Sequence, residues 1–507
     1  MSRFFALALL LAFPTCVVGQ EIISETEAAR HGLTRVWYTQ VQVSGAHGNI
    51  GDIVLDNGTL FVQTDQAILQ AIDAETGKTL WVQQVGDPHH PTLAPAANNR
   101  MVAAINGSNL FIFNRYNGKL LWKTQLPGAP GAGPSLSQQR VYVPMTSGLI
   151  VSYRMQRMKD PSREMGKTSK PMSIEEEAEA LRLEQRHIEP LTCQSLGRTM
   201  VQPLVTRQTA DEEFVAWPTD EGYLCIGRVG RADHNFLELR YRLQTEAPIV
   251  SQPAYLPPNP KEKGSSGVIF VASQDGFAHA VREKDGQQLW RYSTGEPISQ
   301  APVAVEGKVY VINQLGGMHC LDAEAGSEVW WAPNVWQFLA AGKDRLYVAD
   351  RLGRLLMLDA KSGARLDTIA AGELLPVKYS NSETDRIFLA TKGGMIQCLR
   401  EVDLKTPLVH RTQPKEEELA EAKPAEKPVV KESSGSSSPV GTHAPGSGGG
   451  SKSTTKKKKS SGSEPAFGGE PTTPKKGKKG AMGSSDEMMP AGPPAKGKKS
   501  KKGAFGT

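Results

Sequence analysis

The sequence predicts an all-β protein, an eight-bladed β-propeller with seven blades as the alternative, carrying a short helical insertion in its third blade and a disordered C-terminal tail. Three observations lead there. An eleven-residue frame recurs five times with glycine always seventh, at Gly77, Gly118, Gly286, Gly326 and Gly363. Where nothing intervenes, neighbouring copies start 41, 40 or 37 residues apart, the length of a four-stranded unit. Four of the five copies end on tryptophan, at Trp81, Trp122, Trp290 and Trp330.

The chain opens with a targeting signature. Arg3 precedes an apolar run over residues 4–13, too short to span a bilayer, and Val17 and Gly19 are small enough to precede a cleavage site. Residues 1–19 are therefore expected to be a signal peptide, and the mature protein to be exported to the periplasm or cell envelope. Lipidation of Cys16 and an uncleaved anchor are the alternatives, although Phe-Pro-Thr-Cys makes a poor lipidation signal.

Each part of the frame has a physical task. In the first copy, Leu69 and Ala71 alternate with polar residues as in a half-buried strand. Asp73, Thr76 and Gly77 turn the chain, and the next strand carries Trp81. A hairpin with its own turn signal precedes the frame, for example at Asn106-Gly107 and Asp275-Gly276. With Ala71, Asp73, Thr76, Gly77, Lys78 and Trp81 in place, this frame resembles the tryptophan-docking motif of the PQQ-like (pyrroloquinoline-quinone-like) repeat propellers over residues 34–402. The resemblance implies eight blades, in a family that holds both quinoprotein dehydrogenases and the non-catalytic outer-membrane β-barrel assembly factor B. Units are expected to begin near Gly51, Asn99, Arg140, Glu212, Gly267, Gly307, Asp344 and Asp385. The last lacks a fourth strand, which residues 36–41 supply, since Val-Trp-Tyr-Thr-Gln-Val matches Leu-Trp-Val-Gln-Gln-Val at 80–85.

Two units depart from the pattern. Residues 155–190 interrupt blade three, and within them Ser173 and Glu176 form a capping box before a helix on which Ile174, Ala178, Leu181 and Ile188 share a face. That face either packs on the propeller's side or docks a partner. Blade four lacks both glycine and tryptophan at the expected places, and Tyr241 is the substitute aromatic.

The chemistry-bearing residues argue against an enzyme. Quinoproteins of the family resemble one another in a vicinal disulfide beside the cofactor and a carboxylate–amide set that holds calcium. This chain has no adjacent cysteines and no Cys-x-x-Cys-His, so no cofactor is expected, with a PQQ-dependent dehydrogenase as the alternative. Cys225, Cys320 and Cys398 occupy one frame position in blades four, six and eight, too far apart to bridge, and together with Cys193 are expected to be free thiols. His47, Asp87, His89 and His90 lie on neighbouring loops and are weak metal candidates; solvated loop residues are the simpler account. Trp331, Trp336 and Phe338, placed between blades six and seven, are partner-binding candidates, with inter-blade packing as the bland alternative.

Residues 411–507 hold only nine large apolar residues in 97 and are expected to be disordered. Residues 440–507 carry 14 Lys against four acidic groups, whereas the chain as a whole is only +6, so the body is mildly acidic. Lysine clusters at 456–459, 475–479 and 496–502 without arginine, and almost without aromatics, suit anionic polymers or lipid headgroups rather than sequence-specific nucleic acid, with a solubilising, flexible extension as the simpler account. The expected protein is a monomeric, non-catalytic module that binds protein partners in the envelope.

Overall fold

Runs such as Met-Val-Ala-Ala-Ile-Asn at 101–106, closed by turns at Asn57-Gly58 or Asn106-Gly107, make short strands that pair with their sequence neighbours. The computed structural model describes residues 22–43, 48–155, 173–185, 189–208, 212–230, 236–259 and 265–410. The signal segment, His47, Ile188, much of the 155–190 insertion and the 411–507 tail lie outside the described residues.

The described strands form eight antiparallel four-stranded sheets, the eight blades of a propeller. Blade one runs through Ile50–Asp56, Thr59–Thr64, Ile68–Asp73 and Thr79–Gln84 in order, and six further blades repeat that meander. Blade eight is composite. Val377–Lys378, Ile387–Ala390 and Met395–Glu401 are completed by β1 (Leu33–Gln40), which pairs antiparallel with Met395–Glu401 and sets Trp37 opposite Cys398. The first and last strands thus share a sheet and leave no open edge between blades eight and one. Helix α1 (Glu25–Arg30), capped by Ser24, precedes β1.

The expected unit starts need one correction. Only Gly51 falls on an innermost strand; the other seven positions mark the second strand of their blades. The innermost strands shrink to Ser135–Leu136, Ala254–Leu256, Val303–Val305 and Val377–Lys378. Prolines stand in or beside several of them, at Pro95, Pro134, Pro203, Pro253 and Pro302. Proline is tolerated there because one edge of the strand faces the channel and donates nothing, and two or three residues display no period.

The core is divided into eight clusters, each joining two adjacent blades. Between blades one and two, Phe61, Leu69, Ala71 and Trp81 meet Val102, Ala104, Phe111 and Phe113. The repeated tryptophan lies in this layer. Trp81 packs on Gly118 of the next blade and its Nε1 donates to the Arg115 carbonyl at 2.7 Å. Trp290 repeats the contact with Gly326 and the Ala323 carbonyl, and Trp330 with Gly363 and the Ala360 carbonyl. From the N-terminal strand, Trp37 packs on Gly77 and donates to Ala74, so the frame also closes the ring. In blade four Tyr241 covers Gly286, its hydroxyl donating to the Glu283 carbonyl.

Trp122 is the exception. Blade three offers it no frame glycine; it packs on Tyr153 at 6.2 Å, and among the described residues its buried Nε1 has no hydrogen-bond partner. Helix α2 (Ile174–Gln185), which follows the third strand of that blade in chain order, lies alongside. Ser173 and Glu176 cap it reciprocally. Ala178 and Leu181 are buried, Ile174 joins the cluster between blades two and three, and Glu177 pairs with Arg100.

Candidate functional site

Innermost strands of blades one to six, with residues 379–383 of blade eight, line a channel of about 1090 Å³. Its walls are mostly alanine, serine, proline, glutamine and aliphatic residues, with Asp56 and Glu383 the only charged side chains among those lining it. The Asp56 carboxylate is held by buried Arg115, whose guanidinium also lies 5.2 Å from the Phe61 ring centroid. Neither cysteine nor histidine lines the channel among the described residues.

Of the loop candidates, Asp87, His89 and His90 fall among the described residues. His89 and His90 are exposed, and the Asp87 carboxylate accepts the His89 backbone N–H at 2.8 Å within its own turn. Among the described residues, no group of three histidine, cysteine or carboxylate side chains could hold a metal. Cys225, Cys320 and Cys398 are buried and Cys193 half-buried, all as free thiols. Burial pushes the Cys225 and Cys320 thiols up to about 12, far from reactive thiolates. Cys193 of blade three shares an apolar cluster with Cys225 of blade four, a neighbour that repeat phase could not reveal because Cys193 falls outside the frame.

The three aromatic candidates separate. Trp331 belongs to the fourth strand of blade six, Glu328–Pro333, where alternation buries Trp330 and leaves Trp331 51% exposed. Trp336, in the connection to blade seven, is 36% exposed and carries the Arg351 guanidinium 5.4 Å from its ring centroid. Phe338 does not join them. It enters the innermost strand of blade seven, Gln337–Ala341, is buried, and stacks on Tyr310 at 5.4 Å.

Two leucines extend the exposed apolar surface. The Val335 N–H donates to Gly316 and the Trp336 N–H to Ala349, which pins this connection between the turns carrying Leu315 and Leu352. Those leucines are 74% and 65% exposed. The sequence did hold a signal for them. Blades two to five place a polar residue before the turn glycine, as in Asp275-Gly276, whereas blades six and seven read Leu315-Gly316 and Leu352-Gly353.

Beside Trp331 a recess of about 490 Å³ opens, lined also by Thr294, Glu296, Asn313, His319 and Glu328. His319 Nδ1 lies 2.8 Å from Glu328 Oε2, and Tyr292 donates its hydroxyl to the same oxygen. These bonds hold the Glu328 carboxyl below the usual carboxylate range.

An eight-membered ring of blades locked by docked tryptophans defines a PQQ-like repeat β-propeller. A family profile described as outer membrane protein assembly factor BamB matches residues 29–163 and 274–394, half of the chain, and the protein belongs to that family. BamB from Moraxella catarrhalis is similar in structure, with 11% identity and a TM-score of 0.52 over 73% of this chain and 98% of that one. The computationally designed Ika8 protein gives 12% identity and 0.50 over 70% and 97%. Quinohemoprotein alcohol dehydrogenase from Comamonas testosteroni gives 13% identity and 0.48 over 74% and 77%. At these identities the likeness to the first two is one of fold. No curated protein matches the sequence.

Proposed function

We propose that this protein is a non-catalytic module of the cell envelope that holds a protein partner on the end of the propeller formed by blades six and seven. The observation that carries the reading is the exposure of Leu315, Trp336 and Leu352 on hydrogen-bonded turns and of Trp331 on the adjoining strand. Large apolar groups on a rigid scaffold favour a partner that removes them from water. The expected export signal supports a place in the envelope, and the family description makes outer-membrane protein assembly one form of the role.

A photo-crosslinking residue at Leu352, with a control at Lys361, tests this in envelope preparations. One discrete adduct from Leu352, lost with Trp336→Ala, is expected. Equal adducts from both positions would sink the reading. The quinone alternative is checked by soaking with PQQ and calcium, where stoichiometric quinone absorbance with dye reduction by alcohols would overturn the non-enzyme reading. A second activity rests on the 14 lysines of residues 440–507, which suit anionic polymers or lipid headgroups. Such binding should weaken steeply with salt and vanish when residues 411–507 are deleted.

A further inference from the structure

We infer that Asn57 is a site of spontaneous covalent modification, its side-chain amide being lost to give aspartate and isoaspartate at the tip of the first hairpin of blade one. Three Asn-Gly pairs occur in the chain, at 57–58, 106–107 and 117–118. The reaction needs an accessible asparagine amide, an unengaged N–H on the next residue and room for a ring to close between them. Glycine in second place favours closure because it has no Cβ.

The first pair alone meets all three conditions. Asn57 and Gly58 are exposed and both at positive φ, 42° and 73°, in the two-residue turn that joins Ile50–Asp56 to Thr59–Thr64. The Gly58 N–H makes no hydrogen bond among the described residues, and a Cβ placed on Gly58 would meet nothing within 4 Å. Asn106 is only 1% exposed. Its Nδ2 donates to the Asp87 and His90 carbonyls, its Oδ1 accepts the Asp87 N–H, and the Gly107 N–H is taken by the Pro91 carbonyl at 2.8 Å. Asn117 is exposed, but Glu175 holds its Nδ2 and the Lys119 N–H its Oδ1. The Gly118 N–H donates to the Asn114 carbonyl at 2.9 Å, and the Trp81 ring covers that glycine.

The Gly58 nitrogen gives up its proton to solvent base and attacks Asn57 Cγ, and Nδ2 leaves as ammonia. Water then opens the cyclic imide at either carbonyl, restoring the peptide bond through the α-carboxyl to give aspartate or through the side chain to give isoaspartate. One water enters and one ammonia leaves, with no change of oxidation state. Either product sets a new carboxylate beside Asp56, which lines the channel and is paired with buried Arg115. Arg115 Nη2 already lies 3.5 Å from the Asn57 carbonyl, so the modification falls on the atoms around that ion pair. Isoaspartate also adds a methylene to the main chain of a tight turn, against the register that sets Asp56 opposite Thr59.

The test ages the full chain in mildly alkaline, heavy-oxygen water and maps its peptides by mass spectrometry, with isoaspartate scored by an isoaspartyl methyltransferase. The peptide holding Asn57 should lose ammonia and gain one solvent oxygen, while those holding Asn106 and Asn117 keep their amides. In urea all three should react at similar rates, because the fold is what separates them. Asn57→Gln, whose longer side chain closes the ring far more slowly, should abolish labelling at that position and the fall in melting temperature that accompanies ageing. An Asn57 that keeps its amide in the folded protein, or reacts no faster there than Asn106 and Asn117, would overturn the site. The same preference for Asn57 in urea as in buffer would also overturn it, since the selectivity would then come from flanking residues and not from the turn.

Discussion

Gly77 and Gly58 both sit at positive φ, +70° and +73°, yet they should respond differently to the same change. A Cβ on Gly58 meets nothing within 4 Å, whereas one on Gly77 would lie 2.5 Å from the Trp37 ring. Gly58→Ala should cost the left-handed backbone penalty alone, about 1–2 kcal/mol. Gly77→Ala must also displace the tryptophan, adding about 1–3 kcal/mol, which urea denaturation of the pair would resolve. Equal losses would mean that Trp37 does not rely on the glycine. A pH effect belongs to this scale too. Burial holds the imidazole of His279 below its ordinary value of 6.5, so the native state binds that proton less readily than the unfolded chain does. Its contribution is complete above pH 6.5 and is lost as pH falls through that value towards the lower native one. Stability measured between pH 7.5 and 5 should therefore decline less in His279→Gln than in the parent; parallel declines would assign the acid sensitivity elsewhere.

At the scale of the blade, what could be read in the sequence depended on whether a strand carries a period. Trp81, Gly118, Trp290, Gly326, Trp330 and Gly363 are legible because one interaction recurs between successive blades. The innermost strands were placed one strand out because two or three residues beside a proline show no alternation. Phe338 was grouped with Trp336 because proximity in sequence could not reveal that a strand begins between them at Gln337. The carboxylates of the recess were missed because Glu296 and Glu328 lie 32 residues apart and meet only through the blade geometry. Blade three allows a direct test of what the frame glycine contributes. Trp81→Phe removes a donor from the Arg115 carbonyl, while Trp122→Phe removes a group that has no partner among the described residues. Trp81→Phe should therefore be the more destabilising by about 1 kcal/mol, the usual net worth of such a bond. Denaturant midpoints at unchanged slope would show it, and the reverse order would refute the account of Trp122.

Ring closure is a property of the whole molecule, because every blade depends on two neighbours and blade eight depends on the N-terminal strand. Three contacts make that joint: β1 pairs with Met395–Glu401, Trp37 sits on Gly77, and buried Arg386 bonds Glu75 of blade one. Arg386 also donates to the Leu404 and Lys405 carbonyls, tying the residues that follow the last strand to the same place. Removing residues 20–48 would expose the edge of Met395–Glu401 and uncover the apolar cluster shared by Ile50, Leu60, Phe388 and Ile396. The truncated protein should melt earlier, lose its single cooperative transition and associate on size-exclusion chromatography. A synthetic peptide of residues 30–43 should restore a monomer by adding the missing strand in trans, whereas the same peptide with Trp37→Ala should do so poorly. Arg386→Ala in the full chain should lower the melting temperature without association, because the strand remains in place. A truncated protein that stays monomeric with unchanged melting would show that closure does not depend on β1.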